Sequence, residues 1–247
     1  MTPRNSKPIL HTCFSPALLH LYDLNNAVVV IIDVLRATST IATALFNGAK
    51  SVIPVDSVAK CMEIGRKIEC ITAGERDGLI AEGLGYGNSP FEYSRQFIGN
   101  KTLVLTTTNG TKLLHMALER GAGQIVTGSF PNLSAVCEFL LSRHQNVILG
   151  CAGWKDRVNI EDTLFAGGVI SKVKHHFQIN CDSSKIAETL YNTAQPDLYQ
   201  FMKEKEASHY LRLTGYSLDK DIQYCLTPDV ANILPFYEEG KLVIHRK

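Results

Sequence analysis

The apolar positions of this chain fall into short dense runs separated by polar loops. Ala27-Val-Val-Val-Ile-Ile32 is continuously apolar and largely β-branched, which suits a strand covered on both faces, as in a parallel sheet. After the polar stretch Asp33–Thr40, the segment Ile41–Phe46 takes helical character and closes at Asn47-Gly48, where Gly suits a helix C-cap. Ser51–Val55 predicts a strand and Val58–Ile68 a helix; Lys101–Thr106 predicts a strand and Lys112–Arg120 a helix ending at Gly121. Gln124–Thr127 and Asn146–Gly150 predict strands around a helical segment, Asn132–Leu141, and Ile160–Phe177 predicts a further helix. Strands alternating with helices predict an α/β fold, a layered sheet with helices on both faces.

Two regions depart from that rhythm. Gly74–Gly99, with Gly78, Gly83, Gly85, Gly87 and Asn88-Ser-Pro90, predicts a long loop, and loops of that length in compact domains are usually functional or disordered. Beyond Asn180 the pattern is mostly helical, with amphipathic stretches at Leu190–Tyr191, Leu198–Met202 and Tyr210–Leu213, and Leu242–His245 predicts a last edge strand. No charge run or Pro/Gly-rich linker divides the chain. Residues 1–247 are therefore expected to form one α/β domain, or two intimately packed α/β lobes.

Composition narrows the classes. The 247 residues are 45% hydrophobic and 20% charged, and 25 Lys and Arg against 24 Asp and Glu leave a net charge of +1. Such a balance gives no basic footprint for nucleic acid or an anionic membrane. The longest apolar run falls far short of the ~20 residues of a membrane span. Met1–Leu10 carries Arg4 and Lys7 with no apolar segment behind them, unlike a signal peptide. The seven cysteines (13, 61, 70, 137, 151, 181 and 225) are scattered without a C-x-x-C. Free thiols in a reducing cytoplasm are expected, not disulfides or a zinc site.

In open α/β sheets ligands sit outside the carboxyl ends of the strands, so the loops leaving those ends carry the candidate chemistry. The first offers Asp33, Arg36, Thr38, Ser39 and Thr40. Asp33 suits a nucleophile or metal ligand and Arg36 an anion clamp; the plain alternative is a capping Asp paired with Arg36. Thr106-Thr-Thr-Asn-Gly-Thr111 leads into a helix, whose free N–H groups suit a phosphate or sulfonate. Gly74-Glu-Arg-Asp77 supplies two carboxylates and a cation, and Asn88-Ser-Pro-Phe-Glu92 has the spacing of a capping box. Glu161 and Asp162 open a helix, where the macrodipole favours them anyway; Asp162 with Asp33 would also give the carboxylates typical of a Mg2+ site. Cys151 ends a predicted strand, and packing at the strand end is its expected fate. H-E-x-x-H, G-x-S-x-G, Walker and G-x-G-x-x-G patterns are absent, as is a second Asp two residues after Asp33.

Together the loops are more specific than any one of them. Ile32-Asp-Val-Leu-Arg-Ala-Thr-Ser-Thr40, Gly74-Glu-Arg76, Gly87-Asn-Ser-Pro90 with Glu92, and Thr107-Thr-Asn-Gly-Thr111 occur in that order. Ile160-Glu-Asp162 with Ala166-Gly167, and Asp221 with Tyr224-Cys225, follow. The set resembles the 2-phosphosulfolactate phosphatase family over nearly the whole chain. The resemblance implies a Mg2+-dependent phosphatase that hydrolyses (2R)-2-phospho-3-sulfolactate to 3-sulfolactate and phosphate, a step towards coenzyme M. It also implies a layered α/β architecture distinct from that of the aspartyl-phosphate phosphatases. Trp154–Val158 has no counterpart in the quoted pattern, which leaves Lys155, Asp156 and Arg157 without an implied role.

A substrate with a phosphate, a sulfonate and a carboxylate on three carbons needs several anion donors and a metal. The candidate catalytic residues are Asp33, Arg36, Asn109 and Glu161. Arg36, Arg76, Asn88, Ser89, Thr107, Thr108, Asn109, Gly110 and Thr111 are the candidate substrate contacts, with Arg157 in reserve. Asp33, Glu75 and Asp162 are the candidate Mg2+ ligands. Asp33 either attacks phosphorus or holds the metal while water attacks, and Glu75, Glu161 and Asp162 are candidates for the acid that protonates the leaving oxygen. The competing readings are a phosphatase for another small phospho-acid and a non-catalytic anion-binding module. A homodimer is the base-rate expectation for assembly.

Overall fold

The computed structural model describes residues 7–245; the leader positions 1–6, including Arg4, lie outside the described residues. Its sheet has ten strands in the order β1-β8-β2-β7-β9-β10-β3-β6-β4-β5. The strands are β1 (Leu10–Cys13), β2 (Val28–Ile32), β3 (Ser51–Val55), β4 (Ile71–Arg76), β5 (Leu79–Ile80), β6 (Thr102–Thr106), β7 (Gln124–Gly128), β8 (Val147–Cys151), β9 (Pro235–Glu238) and β10 (Lys241–Ile244). The helices are α1 (Ala37–Phe46), α2 (Val58–Lys67), α3 (Arg95–Ile98), α4 (Gly110–Glu119), α5 (Leu133–Leu141), α6 (Ile160–Val173), α7 (Asp182–Ala194), α8 (Leu198–Glu204), α9 (Ser208–Gly215) and α10 (Asp219–Cys225).

Why Ala27–Ile32 is apolar at every position is visible in the packing. Val28, Val30 and Ile32 enter one core with α5, α6 and α7 side chains such as Leu133, Leu164 and Ala187. Val29 and Ile31 enter the other, with Ile41 and Leu45 of α1 and Leu113 and Leu114 of α4. Alternate side chains of a strand point to opposite faces, so a strand with a helical layer on each side needs apolar residues throughout. The expected layering, with helices on both faces, is what forms.

The sheet contains two parallel runs. β1, β8, β2 and β7 pair in parallel, and so do β3, β6 and β4. The antiparallel hairpin β9–β10 joins them, through Val126 opposite Phe236 and Leu242 opposite Val52. The C-terminal strand expected at an edge is thus an interior strand, bonded to β9 and β3. Its short, period-two apolar pattern does not say which neighbours it will find, because that depends on pairings remote in sequence. Loops from both runs meet at one place.

The stretch Gly74–Gly99 is also more ordered than its glycines suggest. Asp77 and Gly78, at φ of 53° and 89°, form the tight turn of a hairpin between β4 and β5, with Glu75 opposite Ile80 and Arg76 opposite Leu79. Asp-Gly is a favoured pair for such a turn, since both central residues need positive φ. Further on, the Ser89 hydroxyl and the Glu92 carboxylate cap a short 3-10 helix reciprocally, as the spacing predicts. All seven cysteines are free, and among the described residues no helix is long and apolar enough to cross a membrane.

Candidate active site

Four loops converge beyond the ends of β2, β4, β6 and β8. The main chain after β2 turns sharply into α1: the Asp33 N–H donates to the Thr38 hydroxyl at 3.1 Å, and the Thr38 N–H returns to the Asp33 carbonyl at 2.9 Å. The Ser39 hydroxyl donates to the Val34 carbonyl at 2.8 Å. Short hydroxyl side chains thus satisfy the turn locally, which explains the Thr-Ser-Thr sequence. The Leu35–Arg36 peptide within it is cis.

Asp162 fastens this turn to the loop after β8. One of its carboxylate oxygens accepts from the Val34 N–H at 2.9 Å and the other from the Gly153 N–H at 3.0 Å. It is wholly buried, and burial, with the charges of Glu161 and Asp33 nearby, pushes its carboxyl well above the ordinary range. Glu75 does the same work on the other run. Its carboxylate accepts from the Gly78 N–H at 2.7 Å, and from the N–H and hydroxyl of Thr108 at 3.2 and 2.9 Å. Asn109 completes the link: its side-chain oxygen accepts from the Lys155 N–H at 3.3 Å.

A narrow polar cavity opens between these loops. Of the residues expected to act, Asp33, Arg36, Glu75, Asn88, Thr108 and Asn109 line it. Thr107, Gly110 and Thr111 lie behind the wall, around a separate apolar pocket beneath α1 and α4. Gly110 nonetheless matters to the site, because a Cβ there would stand 2.7 Å from the Asp33 carboxylate oxygen. Glycine alone lets the amino end of α4 come so close to Asp33. Arg76 turns to the Thr106 hydroxyl at 3.1 Å, and Ser89 caps its own 3-10 helix.

Arg36 enters the site already engaged. One guanidinium nitrogen donates to Asp221 at 2.6 Å and another to the Gly78 carbonyl at 3.0 Å. Glu161 lies outside the cavity lining as well; it is buried and hydrogen-bonded to Nδ1 of His209 on α9. Trp154, Arg212 and Leu213 complete the lining, and none of the three was among the candidate site residues. His209 and Arg212 are three apart on α9, the spacing that places two side chains on one helix face; that was the only signal available for them. Cys151 is fully buried at the strand end, and burial raises its thiol well above the usual range.

The electrostatics centre on Asp33. Burial, then the neighbouring Glu75 charge, raise its carboxyl from 3.8 to about 6, against the favourable influence of His209 and the Ala37 N–H. Among the described residues no three His, Cys, Asp or Glu side chains are grouped to hold a metal. Asp33 and Glu75 both line the cavity, Glu75 while accepting from Gly78 and Thr108, whereas Asp162 lies outside the lining with both oxygens on backbone N–H groups. Mg2+ commonly takes one or two protein carboxylates and fills its remaining positions with water and substrate oxygens. A mutually repelling pair of carboxylates facing a polar cavity fits that donor set.

The chain is similar to known proteins over most of its length. A family model described as 2-phosphosulpholactate phosphatase matches residues 13–240. A probable 2-phosphosulfolactate phosphatase of Thermotoga petrophila is 38% identical over 215 residues, covering 87% of this chain and 91% of that relative. A protein of the same description from Caldanaerobacter subterraneus is 37% identical over 222 residues, covering 88% and 90%. Another from Clostridium acetobutylicum is 35% identical over 226 residues, covering 89% and 93%. With that match running from the end of β1 to the β9–β10 turn, the chain belongs to the 2-phosphosulpholactate phosphatase family.

Proposed function

We propose that this protein is a Mg2+-dependent phosphatase that hydrolyses 2-phospho-3-sulfolactate to 3-sulfolactate and inorganic phosphate. Family membership and the names of the relatives support the reaction and the substrate. The observation that carries the reading is Asp33, buried at the end of β2, facing a polar cavity with Glu75 and against the amino end of α4. A pure anion receptor gains nothing from two carboxylates in its wall.

The transferred phosphoryl group belongs beside Asp33, where the Asn109 amide, just before α4, offers neutral donors to its oxygens. Phosphoryl transfer depends mostly on such positioning and on charge neutralisation. Mg2+, held by Asp33 and Glu75, would supply that neutralisation at the phosphoryl oxygens. Asp162 and Asp221 act from behind by locking the loops that carry Asp33 and Arg36, and Glu75, in the cavity wall, also ties down Thr108. The reaction needs Asp33 ionised in either of its roles. As a nucleophile, its oxygen bonds to phosphorus while the ester bond breaks, the alkoxide takes a proton, and water later frees phosphate. As a ligand, it never bonds to phosphorus, so an acid-stable phosphoprotein trapped during turnover separates the two.

The test is phosphate release from 2-phospho-3-sulfolactate with and without Mg2+, beside phospholactate and 3-phosphoglycerate. Metal-dependent release that favours the sulfonated substrate is the expected result. Equal release from all three would leave a phosphatase of broader substrate range. No release from any, together with sulfolactate binding, would make the protein an anion-binding module.

A further inference from the structure

Two arginines reach the cavity, and they are in opposite states. Arg36 is buried with its charge met by Asp221 and a further N–H taken by the Gly78 carbonyl. Arg212 makes no ion pair or hydrogen bond among the described residues, and its Nε is buried without a partner. Its one specific contact is the Trp154 ring, whose centroid lies 4.9 Å from the guanidinium carbon. A buried unpaired donor in a well-packed protein calls for an explanation.

The surroundings fix this guanidinium in place. Trp154 is held by a reciprocal pair of 3.0 Å backbone hydrogen bonds with Arg157. The His209 ring meets the indole edge-on at 5.9 Å, and Glu161 holds His209 from behind. A guanidinium stacked on an aromatic face keeps its N–H edge free, in a plane that suits two oxygens of one anion. Asp33 and Glu75 line the same cavity, and their charges repel any anion not paired with a cation.

We propose that Arg212, stacked on Trp154, binds the anionic group of the substrate that is not transferred, and so sets the preference for phospho-acids over simple phosphate monoesters. The inference rests on the phosphatase reading above. Sulfonate and carboxylate share the oxyanion chemistry that a guanidinium recognises, and the substrate carries both. Among the described residues that line the cavity, Arg212 is the cation not paired with a carboxylate, which leaves it for that group.

The experiment is steady-state kinetics of wild type, Arg212→Met and Arg212→Lys on four phosphate esters: phosphosulfolactate, phospholactate (no sulfonate), 2-phosphooxyethanesulfonate (no carboxylate) and methyl phosphate (neither). Arg212→Met is expected to raise KM for phosphosulfolactate about tenfold to a hundredfold, the range of a lost hydrogen bond to a charged group, with a much smaller change in kcat. Wild-type discrimination against methyl phosphate collapses by the same factor, and Arg212→Lys restores part of it. Of the two esters that carry one anion each besides the phosphate, the one whose KM stays put lacks the group Arg212 reads. A uniform rise across all four esters, or a fall in kcat alone, overturns the proposal. Should wild type hydrolyse none of them, the phosphatase reading fails by itself. Calorimetric binding of 3-sulfolactate to wild type and to Arg212→Lys then decides the receptor role: weaker binding by the variant supports it and equal binding overturns it.

Discussion

Arg36 and Asp221 lie 185 positions apart in sequence, yet a guanidinium nitrogen and a carboxylate oxygen meet at 2.6 Å. Both side chains are buried, with exposures of 5% and 6%. The pair ties the turn after β2 to α10, and with the Gly78 carbonyl it consumes much of the donor capacity that would make Arg36 an anion clamp. Its contribution is a fixed Asp33 loop. Removing one partner of a buried pair leaves the other charge uncompensated, at about 3–5 kcal/mol. Asp221→Asn should therefore lower Tm by on the order of 10 °C. A thermal melt indistinguishable from wild type would remove the pair from the framework of the site.

The carboxyl of Asp33 is raised from 3.8 to about 6, mainly by burial and next by Glu75. The folded state therefore holds this proton more tightly than the unfolded chain. The associated stability is fully present below about pH 4 and is lost as pH rises through about 6. Above that, the ionised group costs on the order of 3 kcal/mol, at 1.36 kcal/mol for each pKa unit. Asp33→Asn should melt higher than wild type at pH 8, and the gap should close towards pH 4. The same substitution should abolish turnover, and Mg2+ should raise the Tm of wild type but not of the variant. Wild-type turnover by Asp33→Asn would sink both roles proposed for Asp33.

Because the Glu75 charge is the second cause of that rise, Glu75→Gln removes a repulsion and should lower the Asp33 carboxyl towards 3.8. In metal-free protein, the stability gap between chains with and without the Asp33→Asn substitution should then open at a lower pH. The measurement is the pH dependence of Tm for wild type, the two single variants and the double variant. An unmoved midpoint would mean that burial alone sets the value. With Mg2+ present, Glu75→Gln should need more metal for half-maximal activity, since one proposed ligand is gone.

Gly110 stands where a Cβ would come within 2.7 Å of the Asp33 carboxylate oxygen and 3.3 Å of the Ala37 side chain. Gly110→Ala must push Asp33 or the amino end of α4 aside. Misplacing a reacting group by about 1 Å can cost ~100-fold, while overpacking costs about 1–3 kcal/mol. The expected variant folds, melts a few degrees lower, and loses about two orders of magnitude in kcat/KM. Full activity would show that the close approach of α4 to Asp33 has no part in the chemistry.

Much of this protein is legible in its sequence. The unbroken apolar run Val28–Ile32 requires a helical layer on each face, and the polar loops that follow the strands mark which end of the sheet carries the site. Asp33, Glu75, Thr108 and Asn109 could be named from those loops because a strand end fixes where the next residues point. Hairpin β4–β5 was hidden among glycines, although Asp77-Gly78 carried its signal. The interior position of β10, the pairing of Arg36 with Asp221, and the stack of Arg212 on Trp154 were not legible at all. Each joins segments remote in sequence, and local periodicity holds no information about which remote partner a residue will meet. Only the folded chain decides which arginine is neutralised and which is left free to bind.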